Sequence, residues 1–307
     1  MTTGPTPPPA TPLQHRLHTA RATLHARWVD GPVSQFLFEF LAFGIKQAWA
    51  CLFGGAMLGL LLLTYLFYPE GAGLSRYDLL VLAALAIQAA MLLTGLETWE
   101  EARIILVFHV VGTVMELFKT QAGSWIYPED SFLRIGAVPL FSGFMYAAVG
   151  SYLARVWRIF AFRFTHFPPL WLQGLLAGVI YVNFFAHHWL PDIRLALFVA
   201  TLVIYGRCWV RFRPDVSYRR MPLVVGFGLV ALFIWFAENL GTFANAWAYP
   251  GQEDGWEMVS FAKLGSWYLL MIISFVLVAT VHRGTGWAGG IRNDRRTYNH
   301  AEVLGPD

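Results

Sequence analysis

Eight apolar stretches dominate this chain, each close to the roughly 20 residues that cross a bilayer as a helix. They fall at about 45–67, 78–96, 103–118, 134–154, 169–189, 192–209, 222–243 and 259–281. Backbone polar groups in lipid have no water to bond, so spanning segments close their hydrogen bonds internally, and this length selects helices over barrel strands. Only 13% of the 307 residues are charged, against about 25% in soluble domains, and 57% are hydrophobic. The fold class expected is therefore an all-α, polytopic membrane helix bundle of about eight transmembrane helices. The bilayer is its first partner, and no nucleic-acid partner is expected from a net charge of +3.

Arginine placement orients the bundle. Arg155, Arg158 and Arg163 follow the fourth stretch, Arg207, Arg211, Arg213, Arg219 and Arg220 the sixth, and Arg283, Arg292, Arg295 and Arg296 the eighth. With eight spans all lie on the side of the basic N-terminal segment, whose Leu13, Leu17, Leu24 and Trp28 recur at helical spacing among Arg16, Arg21 and Arg27. The positive-inside rule then puts both termini on the cytoplasmic side of the membrane. The acidic 97–103 loop is the exception. Residues 1–32 read as a disordered tail and an amphipathic helix, 33–283 as the transmembrane domain and 284–307 as a cytoplasmic tail. Val33–Gly44 carries Glu39 and is assigned to the membrane interface.

One segment occurs twice. Glu116–Pro128 and Glu238–Pro250, 122 positions apart, share Glu, Thr, Ala, Trp, Tyr and Pro at Glu116/Glu238, Thr120/Thr242, Ala122/Ala244, Trp125/Trp247, Tyr127/Tyr249 and Pro128/Pro250. The period equals four spans, an even number, which preserves orientation. The expectation is two parallel four-helix repeats, at about 45–154 and 169–281. Odd spans end at proline (Pro69, Pro128, Pro191, Pro250), which cannot continue a helix.

Within the spans, polar residues gather toward one depth. His109, Thr113, Glu116 and Thr120 share a helix face, with Lys119 adjacent; Glu238, Asn239 and Thr242 belong to span seven, Asn183 and His187 to span five, Tyr146 to span four and Lys263 to span eight. A charge at mid-bilayer costs roughly 2.5–3.5 kcal/mol even on lenient scales, so these side chains are expected to face the protein interior. Glu116 and Glu238 are the candidate catalytic acids, tuned by His109 and Lys263. Lys119, Thr120, Trp125, Tyr127, Tyr146, Asn183, His187, Asn239, Thr242, Trp247 and Tyr249 are the candidate binding residues. Structural readings stand beside these: Glu116–Lys119 and Glu238–Lys263 as ion pairs, and the Trp and Tyr residues as interfacial anchors. No metal or cofactor is expected, since too few histidines lie in the spans for a di-iron site and no glycine-rich phosphate loop is present.

His109–Tyr152 resembles the central signature of DUF817, a bacterial membrane family of unknown function, over about residues 35–283. More distantly, Thr120, Trp125, Tyr127 and Val138-Pro139 resemble the repeated element of membrane lycopene cyclases and carotenoid hydratases, although Pro139 is followed by Leu140-Phe141-Ser142-Gly143 where the cyclases carry paired acids. The second resemblance implies an isoprenoid, carotenoid or other lipid substrate. Three functions follow as expectations: acid–base chemistry on such a substrate, proton-coupled transport of a small molecule, or a non-catalytic membrane scaffold.

Overall fold

Proline and glycine punctuate a chain that is otherwise almost entirely helical. The computed structural model describes residues 23–69, 71–186, 189–252 and 254–284. The first part of the basic N-terminal segment, His187 and the 285–307 tail lie outside the described residues. Among the described residues, nine helices follow a helical segment at 23–28: α1 Pro32–Ala50, α2 Leu52–Phe67, α3 Arg76–Leu93, α4 Trp99–Gln121, α5 Phe141–Ile159, α6 Leu170–Ala186, α7 Arg194–Tyr205, α8 Leu223–Phe243 and α9 Phe261–Gly284. Each of the eight apolar stretches overlaps one of α2–α9. By length and apolarity, three helical stretches suffice to cross a membrane, Arg76–Leu93, Leu223–Phe243 and Phe261–Val281, and up to four do if α1 and α2, bent by 68°, are a single span. α4 carries too many charges, and α6 and α7 are short.

The packing suits lipid. Val107, Val110 and Val114 of α4, Leu195, Val199 and Val203 of α7, and Phe233 and Phe236 of α8 are all exposed, an apolar surface that water would penalise and a bilayer would not. Helix association in lipid relies on close contact rather than apolar burial. α4 and α5 achieve it at Gly112, where an added Cβ would meet the Tyr146 ring at 2.6 Å.

Two features depart from an all-helical chain. Residues 134–139 form a hairpin, β1 Arg134–Ile135 with β2 Val138–Pro139, so α5 starts at Phe141 rather than near 134. Asp78 of α3 holds this hairpin's approach by accepting the Phe132 and Leu133 N–H groups at 3.0 and 2.7 Å. At the opposite end, the arginine-rich loops pair as an antiparallel sheet of β3 Arg163–Thr165, β4 Trp209–Phe212 and β5 Arg219–Pro222. Short paired strands satisfy backbone groups that a loop at a membrane surface would leave open.

α1 lies against that sheet end. Glu39 is buried and bonds Arg219 of β5 at 2.6 Å, while Val33, Phe36, Leu37, Phe40, Leu41 and Ile45 are exposed at i, i+3, i+4 spacing. An apolar stripe of this kind would suit contact with lipid, whether α1 lies at a bilayer surface or forms part of a bent span with α2. The same end accounts for the acidic exception in the loops. Glu97 bonds Arg155 at 3.1 Å with both side chains fully buried, Ser151 also donates to it, and Glu101 bonds Arg158 at 3.0 Å. The acids there are neutralised by the arginines of α5.

Removing one member of a buried pair strands the other, at a cost of about 3–5 kcal/mol, whereas an exposed pair contributes about 0–1 kcal/mol. Arg155→Met should therefore lower the unfolding midpoint in detergent steeply. Arg134→Met, whose Asp130 partner is almost fully exposed, should leave it nearly unchanged.

Candidate functional site

Helices α4 and α8 end in the same way. Each stops at an alanine, Ala122 or Ala244, and continues through a left-handed residue, Gly123 (φ 70°) or Asn245 (φ 52°). The next N–H turns back: Ser124 N–H donates to Lys119 O at 2.9 Å and Ala246 N–H to Gly241 O at 3.0 Å. Both are Schellman caps, and both favour glycine or asparagine at the left-handed position. The cap reverses the chain, so Trp125 and Tyr127 fold back over α4, and Tyr249 over α8.

The two returning segments then meet. Ile126 and Ala248 exchange backbone hydrogen bonds at 2.9 and 3.0 Å as an antiparallel bridge. These residues occupy the same position in the two copies of the sequence segment, 122 apart. In an antiparallel bridge between equivalent residues, each copy stands toward the other as the other stands toward it.

Beneath the bridge lie both glutamates, each about 4% exposed. Glu116 Oε2 accepts from Trp125 Nε1 at 2.7 Å and Tyr127 OH at 2.5 Å, and Oε1 accepts from Tyr146 OH at 2.8 Å. Glu238 Oε1 accepts from Tyr249 OH and Oε2 from Trp267 Nε1. Burial, then the adjacent Glu116 carboxylate, hold the Tyr127 hydroxyl well above its ordinary value; burial and Glu238 do the same for Tyr249. Both remain protonated donors at any physiological pH.

The donors of one glutamate touch those of the other. The Trp125 and Tyr249 rings meet edge-on at 6.0 Å, and the Tyr146 and Trp267 rings lie 6.2 Å apart. Lys263 Nζ rests 3.9 Å from the Tyr249 ring centre and 5.1 Å from that of Trp125. Two carboxylates, five aromatic donors and one ammonium therefore form a continuous cluster. On the Tyr146 and Trp267 side lies a narrow apolar cleft of about 30 Å³ between α4, α5, α8 and α9, lined also by Phe108, Met115, Ile234 and Leu277.

Other expected site residues sit elsewhere. Neither proposed ion pair forms within 4 Å: Lys119 Nζ lies over the Phe184 ring at 4.2 Å, and Lys263 over aromatic faces. His109 packs on Phe144, with ring centres 4.4 Å apart, two helical turns below Glu116. Asn183 bonds Asp192 and the Ile193 N–H, bridging α6 to the start of α7. Asn239 accepts from Val259 N–H, and the Thr242 hydroxyl accepts from Trp256, so both anchor the loop before α9. Trp247 packs on Gly241, where a Cβ would lie 2.2 Å from its ring. The Thr120 hydroxyl is buried with no hydrogen-bond partner among the described residues. Trp267 was not among the expected residues. Its signal was available: it precedes Tyr268, the counterpart of Tyr146, and lies one helical turn from Lys263.

The family model for "Protein of unknown function (DUF817)" matches residues 39–275. The chain belongs to the DUF817 family. The matched region contains α2–α8 and every residue of the cluster. A relative, the "Uncharacterized protein YoaT" of Bacillus subtilis (strain 168), is 41% identical over 247 residues, covering 79% of this chain and 91% of that protein. No solved structure matches this DUF817 chain.

A hydrogen bond to a charged group contributes about 1.5–3 kcal/mol. Tyr127→Phe should cost about that much in a thermal or denaturant melt of the detergent-solubilised protein. Tyr65→Phe, at an exposed tyrosine, should stay within about 0.5 kcal/mol.

Proposed function

We propose that this DUF817 chain is an eight-span protein of the bacterial cytoplasmic membrane, made of two parallel four-helix halves with both termini cytoplasmic, that performs acid–base chemistry on an isoprenoid or other apolar lipid substrate. The observation that carries the chemical part is the double role of Tyr146. Its hydroxyl is bonded to Glu116, and its ring lines the apolar cleft. Every residue lining the cleft belongs to a helix, and none to a loop. Trp267 repeats the arrangement on the other side, bonded to Glu238 and facing the same cleft.

Such a site can move a proton without a cofactor. A proton delivered from Glu116 by way of the Tyr146 hydroxyl would add to one carbon of an alkene and leave a cation on the other. The faces of Tyr146 and Trp267 suit that cation. Loss of a proton from the neighbouring carbon back to the Tyr146–Glu116 pair restores the acid and completes a double-bond shift with no net change in atoms or electrons. Lys263 would tune the carboxylates through its charge. His109, two turns deeper, would act only on the cleft's shape.

The two-half topology rests on different support: the 122-residue period, the matching caps and the Ile126–Ala248 bridge. Single cysteines at 72, 131 and 191 should then react with an impermeant thiol reagent added outside intact cells. Cysteines at 96, 161 and 216 should react only after permeabilisation. Labelling that mixed the two groups would overturn the topology.

Proton-coupled transport is the second reading, favoured by the ammonium stationed over the aromatic bridge between two carboxylates. Glu116→Gln and Tyr146→Phe separate the two. If the protein is an enzyme, membrane lipid and pigment profiles should change alike in both variants and in a deletion strain, with uptake by vesicles unaltered. Unchanged profiles with altered proton-driven uptake would decide for transport.

A further inference from the structure

The three-stranded sheet sets like charges in direct opposition. Its register places Arg163 of β3 against Arg211 of β4, and Arg211 against Arg220 of β5. Opposed like charges destabilise an antiparallel pair. Here three stand in a row, about 10 Å across at the usual strand spacing, and no strand residue of the sheet is acidic. Charged side chains on edge strands guard against unwanted pairing, which accounts for Arg163 and Arg220. That reason does not extend to Arg211, because β4 is the central strand.

The row occupies one face of the sheet. Phe164 and Val210 are buried in the core, and Met221 packs against it. Alternate residues point the other way: Arg163 and Arg220 are exposed and Arg211 is half-buried, with Thr165, Trp209 and Pro222 forming the adjacent row. Arg220 lies over the exposed Trp209 ring at 5.3 Å. Tyr218, in the β4–β5 turn, gathers two more guanidinium contacts, Arg163 at 4.8 Å and Arg213 at 5.8 Å from its ring centre. Asp215 of the same turn is buried and faces His25. The outer face is therefore cationic and aromatic.

Its depth decides what it meets. β5 ends at Pro222 and α8 begins at Leu223, while three residues separate α5 from β3 and α7 from β4. α8 is long and apolar enough to cross a membrane, and Arg220 stands three positions before it. The face thus sits where such a span leaves the hydrocarbon, at the level of the headgroups, where tryptophan also concentrates. α1 is tied to β5 by Glu39 and Arg219 and presents its exposed apolar stripe at the same end. Basic and apolar side chains together suit an anionic membrane surface better than a polyanion in water.

We propose that the outer face of the β3–β4–β5 sheet is a docking surface for anionic phospholipid headgroups. Their phosphates sit along the Arg163–Arg211–Arg220 row and screen its repulsion, and Trp209 and the α1 stripe meet the acyl boundary. This surface lies at the far end of the molecule from the two glutamates and is independent of any chemistry there.

The test uses full-length protein in phosphatidylcholine vesicles and reads energy transfer from its tryptophans to trace lipids carrying pyrene on one chain. Pyrenyl phosphatidylglycerol should be enriched around the protein at least about fivefold over pyrenyl phosphatidylcholine, the scale of one basic side chain at an anionic surface. The enrichment should shrink at about 1 M salt, where the screening length is about 3 Å. Replacing Arg163, Arg211 and Arg220 together by Gln should bring the ratio close to one, and replacing them by Lys should keep most of it. Arg134→Gln, at the opposite end, should leave it unchanged. Equal enrichment of the two lipids around the wild type, which needs no variant, would overturn the proposal. So would a preference that survives the triple Gln variant, or one lost equally in Arg134→Gln. Binding of a single-stranded oligonucleotide that depends on the row, without any lipid preference, would assign the face to a polyanion in water and overturn it as well.

Discussion

Two carboxylates buried in a low-dielectric bundle must be satisfied without water, and the structure around α4 and α8 follows from how that is done. A buried acid with no partner is among the costliest groups a protein can hold. A directly paired cation is one remedy, used at the other end of this molecule by Glu97 and Arg155. Glu116 and Glu238 take another, a shell of neutral phenol and indole donors. Such donors are amphipathic: each presents one polar atom to the acid and a large apolar face to whatever lies behind it. The shell therefore doubles as the wall of an apolar cleft.

That shell depends on backbone geometry more than on helix packing. Trp125, Tyr127 and Tyr249 reach the carboxylates only because the chain doubles back through left-handed residues at Gly123 and Asn245. The Ile126–Ala248 bridge then locks the two returns together. Arg76 of α3 secures the second return from outside, donating to Ala244 O and Asn245 O at 2.8 Å while paired with Glu129. Tyr77 adds a bond to Ala246 O at 3.0 Å. One short turn of helix α3 thus holds both the 128–133 loop and the cap of α8.

The positions of the apolar stretches and the doubled Glu–Trp–Tyr–Pro segment were legible because both write a regular pattern into the sequence. A helix in lipid has a required length, and a repeated turn reuses its cap and its donors. Trp125, Tyr127 and Tyr249 could be located in this way, although their chemistry looked as much like interfacial anchoring as hydrogen bonding to an acid. What stayed hidden depends on long-range contact. The β3–β4–β5 sheet joins residues 163–165 to 209–222, and no local alternation marks strands of three or four residues among arginines. Lys119 and Glu116 are three apart on one helix, yet their side chains diverge, because Phe184 from α6 offers the ammonium an aromatic face. Trp267 belongs to no repeated pair, since its counterpart is Met145.

That mismatch makes the two acids unequal. Glu116 has three donors, drawn from its own returning segment and from α5; Glu238 has two, one of them from α9. Trp247, the counterpart of Trp125, lies flat on Gly241 instead of donating to Glu238, and Tyr268, the counterpart of Tyr146, packs among Phe198 and Phe227. The only ammonium in the cluster stands over Tyr249, the donor to Glu238. The phenol that links an acid to the cleft, Tyr146, serves Glu116. A hydroxyl can both accept and donate a proton, whereas an indole N–H can only donate a hydrogen bond. A phenol thus stands between Glu116 and the cleft, and an indole between Glu238 and the cleft, so under the proposed reading only the Glu116 side could relay a proton there. Two similarly built turns therefore present two different groups, a phenol and an indole, to a single cleft.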